Sequence, residues 1–79
     1  MKVDIDKIYK DKSGIYYLVL EIAKDVETGA ESVIYKKMDG SSTVYSMPVL
    51  DWAKYEKTEN GIVPRFSLVN PVEEFQEKS

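Results

Sequence analysis

"SVIYKKMDGSSTVYSM", residues 32–47, decides the fold. Two runs rich in β-branched and aromatic residues flank Asp39–Gly40. Asp-Gly tolerates the positive φ values that tight hairpin turns require. "SVIYKKM" (32–38) reads as a strand with Val33, Tyr35 and Lys37 on one face and Ile34, Lys36 and Met38 on the other. "TVYSM" (43–47) pairs back on it. Pro48 ends that second strand, because it cannot donate a ladder hydrogen bond.

Working outward, the same period-two pattern recurs on both sides. Upstream, "IYYLVLEIA" (15–23) is apolar on both faces until Glu21, as in a strand that bends across a small barrel. "KDVETGAE" (24–31) is a polar connection turned at Gly29. "DKIYKDK" (6–12) supplies a short first strand. Downstream, "PVLDWAKY" reads as one helical turn over 48–53 that sends Trp52 back to the core. "YEKT" (55–58), the Asn60–Gly61 turn and "IVPRFSLV" (62–69) form a closing hairpin, with Pro64 demanding an edge or a bulge. A sheet of such short strands cannot bury a face alone, and curling solves this. The expected fold is therefore all-β: a small SH3-like barrel of five to six short antiparallel strands, with one short helical turn before the last hairpin. An OB-like barrel would need a longer helix and longer strands. Leu20, Val33, Ile34 and Trp52 are the expected core. The barrel takes residues 1–70; residues 71–79 read as a weakly ordered acidic tail with few apolar anchors.

Composition narrows the chemistry. The 79 residues contain no histidine and no cysteine. The commonest general base, the commonest zinc ligand and thiolate chemistry are all missing. The carboxylates Asp4, Asp6, Asp25, Glu27 and Glu31 show no paired spacing for acid–base work or a Ca²⁺ loop. The four glycines are isolated turn residues rather than a phosphate loop. The serines of "DGSS" have no histidine to activate them. No enzyme activity and no cofactor are expected. Net charge is −3, but three of the acids, Glu73, Glu74 and Glu77, lie in the last seven residues, and the remainder is nearly neutral. Strong non-specific nucleic-acid binding needs several Lys and Arg contacts to phosphate, which a neutral body does not favour. No run approaches the roughly 20 apolar residues of a membrane span, and the N-terminus lacks the apolar stretch of a signal peptide. A soluble cytoplasmic protein with no membrane contact is expected.

From Tyr9 to Phe66 the chain resembles domain-of-unknown-function family 1653, a small bacterial and phage family. The resemblance rests on Tyr9–Lys10, Gly14, Tyr16, Val19–Leu20, Ala23, Glu27–Thr28, Val33, Tyr35, Pro48, Trp52, Gly61 and Val63-Pro64-Arg65-Phe66. The "ETG…VIY" and "VPRF" blocks are its most specific parts. It implies a compact SH3-like β-barrel and carries no established activity. Relatives usually hold an arginine before the proline of the fourth strand. Here the segment is Tyr45-Ser46-Met47-Pro48, so Arg65 is the only arginine in the chain. If the missing arginine clamps an anion in relatives, half of that clamp is lost here.

Arg65 and the tyrosines are the candidate binding residues. A guanidinium presents a planar fork suited to carboxylate or phosphate. The bland alternative is a strand arginine paired with a nearby acid. Six tyrosines offer rigid apolar bodies with polar tips, which suit binding surfaces. Arg65, Tyr45, Tyr35, Tyr16, Tyr9 and Lys36 make up the expected site, with the Arg65 fork over Tyr45 or Tyr35. The expected function is a non-enzymatic binding module that recognises a peptide or protein partner through a tyrosine-lined face. The alternative is a nucleotide or nucleic-acid binder, for example a phage nucleotide sponge, in which Arg65 and lysines contact phosphates while tyrosines stack bases. Short edge strands would also allow a homodimer by edge pairing.

Overall fold

The computed structural model describes residues 3–70. Seven strands and one helical turn follow the chain. They are β1 (Ile8–Asp11), β2 (Tyr16–Lys24), β3 (Glu31–Lys37), β4 (Tyr45–Pro48), α1 (Val49–Trp52), β5 (Tyr55–Thr58), β6 (Gly61–Pro64) and β7 (Phe66–Leu68). An antiparallel five-stranded sheet runs in the order β4-β3-β2-β1-β7, and β5 and β6 form a separate hairpin. The result is the small all-β, barrel-like fold expected from the hydrophobic pattern. The expectations for the 71–79 tail lie outside the described residues.

The strand read over 62–69 is broken at Arg65 into β6 and β7. Pro64 pairs with Tyr55 at the end of the hairpin ladder. Past the break, Phe66 pairs with Asp11 on β1. A proline can finish one ladder but cannot donate to the next, so the chain changes sheets there. The Arg65 amide is not idle: it donates to the Lys54 carbonyl at 2.9 Å.

The core sits on the concave face of the large sheet. Tyr9, Tyr17, Val19, Val33, Tyr35 and Trp52 are buried together, with Ile22, Met47, Val49 and Phe66 packed against them. Trp52 stacks flat on Phe66, with centroids 3.8 Å apart and planes at 10°. Tyr9 meets its edge at 5.5 Å. This is why so short a helical turn persists: Trp52 anchors it, and aromatic contact stabilises beyond area burial alone.

Two expected core residues are corrected. Ile34 is half-buried, because strict alternation along β3 turns Val33 and Tyr35 inward and Ile34 outward. Leu20 is half-buried for a different reason. Val19 pairs with Tyr35 and Glu21 with Ile34, so Leu20 is a bulge with no partner. The bulge changes the parity of the strand. Tyr17 and Val19 face inward before it, and Ile22 packs on the core after it. The DGSS turn is also looser than a two-residue hairpin. β4 begins only at Tyr45, and the loop is held by Asp39 accepting from the Ser41 amide at 2.9 Å.

Candidate functional site

The site grows from the register of β3 and β4. Tyr35 and Tyr45 are cross-strand partners. Their rings stack at 5.6 Å with planes at 28°. Tyr35 is 9 % exposed and belongs to the core; Tyr45, at 39 %, covers it from the solvent side. Behind them Tyr35 contacts Trp52 at 5.0 Å and Tyr17 at 5.5 Å, both edge-on. The outer tyrosine is thus seated on a rigid aromatic stack.

Arg65 stands beside this stack, half-buried, where the chain leaves the hairpin. Its Cζ lies 5.8 Å from the Phe66 ring centroid. The ring beneath the guanidinium is therefore Phe66, not Tyr45 or Tyr35 as expected. Arg65 still acts on Tyr35. Burial raises the Tyr35 phenol above its ordinary range, and the Arg65 charge pulls it the other way. Asp51 is the acid that feels Arg65. Its carboxyl is held below the ordinary carboxylate range first by Lys54, 2.7 Å away, and more weakly by Arg65. Among the described residues no carboxylate lies within 4 Å of the Arg65 guanidinium. Asp51 is thus the ion-pair partner of Lys54, and the Arg65 charge acts on it only at longer range. Asp51 was not singled out from sequence; the signal was its place next to the inward Trp52 on the helical turn.

A second polar cluster closes the β1–β2 turn. The Asp11 carboxylate accepts from the Ser13 and Ile15 amides at 2.8 and 3.0 Å and from the Tyr17 hydroxyl at 2.8 Å. Burial raises the Asp11 carboxyl, but the hydrogen bonds outweigh it and leave the group below its ordinary range. The Tyr17 phenol is pushed up to about 12, by burial first and then by Asp11. This cluster is fully used in holding the turn.

The remaining expected site residues do not join Arg65. Tyr9 is 6 % exposed, and its hydroxyl accepts the Asp4 amide at 3.0 Å. It is a core residue, because the inward face of β1 is the one that meets Trp52. Tyr16 and Lys36 lie on the opposite, convex face of the sheet, since each is one residue out of phase with buried Tyr17 and Tyr35. Tyr16 there has the Lys10 ammonium 5.9 Å from its ring centroid. Of the six residues expected at one site, Tyr35 and Tyr45 are in direct contact, and Arg65 meets Phe66 and acts on Tyr35 through its charge.

A groove of about 350 Å³ lies between β1 and the β5–β6 hairpin, bordered by Lys10, Lys12, Thr58, Asn60, Val63 and Ser67. It does not include Arg65. Lys12 is already paired with Glu56 at 2.9 Å across it. No helix among the described residues is long and apolar enough to cross a membrane.

Comparison with known proteins agrees with this architecture. No curated protein matches the chain. A crystal structure of a DUF1653 protein from Bordetella bronchiseptica is similar, with a TM-score of 0.72 and 25 % identity, over 85 % of this chain and 88 % of that one. The model of DUF1653, a family described as a protein of unknown function, matches residues 7–68, which reach from the start of β1 to the end of β7. The chain belongs to the DUF1653 family.

Proposed function

We propose that this chain is a non-enzymatic binding module, an SH3-like barrel acting in the cytoplasm, that recognises a peptide or protein partner through Tyr45 and Arg65. One observation carries the reading. Arg65 is held by its main chain and seated on Phe66, yet has no carboxylate in ion-pair range among the described residues. A positioned guanidinium without a counterion among the described residues suits a planar anionic group, above all a carboxylate. The half-exposed Tyr45, stacked on Tyr35, supplies a rigid ring at low entropic cost. Small-molecule sites favour clefts, and Arg65 lies outside the groove described above, which supports a polymer partner. The nucleotide reading loses support because Lys36 and Tyr16 lie on the opposite face of the sheet from Tyr35 and Tyr45.

Selection of a displayed random-peptide library on the full chain, with Tyr45→Ala as the counter-bait, tests the reading. Peptides retained by the parent and lost by the variant, with weak salt dependence, are expected. Failure to select any Tyr45-dependent peptide would overturn it. So would tight binding of ATP, GTP or a single-stranded oligonucleotide that falls steeply with salt.

A further inference from the structure

β2 is apolar on a face that the core does not use. An antiparallel sheet covered on one side alternates apolar with polar residues. "YYLVL" (16–20) does not alternate. Tyr17 and Val19 face the core, so Leu18 points to the convex side. Its cross-strand partners there are Ile8 on β1 and Lys36 on β3. The bulge adds to this face. With Val19 and Ile22 turned inward, Leu20 and Glu21 both fall outside, and Glu21 pairs with Ile34. Ile8, Leu18, Leu20 and Ile34 are half-buried and stand outside the core cluster. On the convex side β2 and β3 thus carry two rows, Leu18 with Lys36 and Glu21 with Ile34, separated by the inward pair Val19–Tyr35. The rows lie about 7 Å apart along the strands. Each holds one charge, and the two charges are opposite. The Glu21 carboxylate accepts from the Ile22 amide at 3.0 Å, and neither Glu21 nor Lys36 makes an ion pair among the described residues.

From these registers we infer that two copies of this chain pair through the convex face of the large sheet, with Lys36 of each set against the partner's Glu21. In a two-fold dimer the same patch meets itself, so the patch must complement itself. A two-fold axis running across the strands at the level of Val19–Tyr35 does this. It lays the Leu18–Lys36 row of one copy over the other copy's row of Glu21 and Ile34. Leu18 then meets the partner's Leu20. Lys36 lies over the partner's Ile34, one strand spacing of about 4.8 Å from the partner's Glu21. Stacked sheets lie about 10 Å apart, a gap that a lysine and a glutamate close from opposite sides. Symmetry forms the pair twice. An axis along the strands would instead set Lys36 on the partner's Leu18 and bury its charge unpaired. The inference goes beyond the peptide-binding reading and does not rest on it. Tyr45, the cross-strand partner of Tyr35, lies on the concave side and stays open in the dimer.

Sedimentation of the full 79-residue chain over a range of concentrations tests the inference, with circular dichroism confirming that each variant keeps its strands. A dimer is expected. Glu21→Lys and Lys36→Glu each bring like charges together and should raise the dimer dissociation constant by about tenfold or more. The double variant carrying both changes should return to within about threefold of the parent. Val44→Lys, which blunts the β4 edge, should leave the dimer unchanged. Loss in both single variants without recovery in the double overturns the pairing of Lys36 with Glu21. A dimer that ignores the charge variants overturns the convex face, and its dissociation by Val44→Lys would make it an edge-paired dimer. A chain that stays monomeric up to roughly millimolar concentration also overturns the inference. Association that then appears only in Phe75→Ser would assign the face to residues 71–79. None of these outcomes bears on selection of a Tyr45-dependent peptide.

Discussion

At the scale of single residues, the clearest case is the bond between Tyr17 and Asp11, because each partner shifts the other in a direction that stability can report. The Asp11 carboxyl is depressed below its ordinary 3.8, so its contribution is complete above that value and is lost as pH falls through the folded-state pKa. The Tyr17 phenol is raised from 10.0 to about 12, so its contribution is complete below pH 10 and is lost as pH rises through the raised value. Tyr17→Phe should cost about 1 kcal/mol near neutral pH, the scale of one hydrogen bond. It should also flatten the alkaline limb of the stability curve. Spectrophotometric titration checks the assignment: the last phenol to ionise in the parent should be missing from the variant. An unchanged alkaline limb would mean that the Tyr17 hydroxyl is free in solution. Arg65 was legible in the sequence as a fixed charge directly after a strand proline. The ring beneath it was not, because that depends on where the chain bends after Pro64.

At the scale of elements, the bulge in β2 and the break between β6 and β7 are what period-two reading missed. Alternation assigns faces only while the register holds. In β2 it holds to Val19, fails at Leu20 and resumes with opposite parity at Ile22. Nothing in "YYLVLEI" marks that point, since both faces are apolar until Glu21. Hence Val19→Ala should cost about 2 kcal/mol and Leu20→Ala about 1, reversing the order of their side-chain sizes, because only Val19 leaves a void in close-packed surroundings. Chemical denaturation of the two variants measures this. A larger loss for Leu20 would move the bulge elsewhere. The tyrosines show the same limit. An aromatic in a strand reads equally as surface or core, and Tyr9, Tyr17 and Tyr35 went inward because the short sheet needs large side chains to fill its concavity. The β5–β6 hairpin is a separate two-stranded sheet, closed at its base by the Arg65–Lys54 main-chain bond and tied to the β1–β2 turn by the exposed Lys12–Glu56 pair. Isolated two-stranded hairpins are marginal, and surface ion pairs contribute little. Its amides should therefore exchange with solvent before those of β2 and β3 under native conditions. Equal protection would mean that the two sheets open as one unit.

At the scale of the whole molecule, the aromatic residues divide between two places. Trp52, Phe66, Tyr9, Tyr17 and Tyr35 fill the barrel, and the half-exposed Tyr45 extends that stack to the surface. The strand pattern and the family resemblance together made this architecture legible; the assembly of the site came from the β3–β4 register, which no single residue reveals. On the proposed reading, Arg65 serves a partner and not the barrel. The most direct measurement is chemical denaturation of Arg65→Ala and Arg65→Lys alongside the parent, with binding of a Tyr45-dependent peptide measured on the same samples. Both variants should lie within about 1 kcal/mol of the parent in stability, because the half-buried Arg65 makes no ion pair among the described residues. Alanine should weaken binding by about tenfold or more, and lysine should restore it poorly, because an ammonium lacks the planar fork. Loss of several kcal/mol of stability in Arg65→Ala, with peptide affinity unchanged in Arg65→Lys, would make the arginine a structural residue and contradict the account.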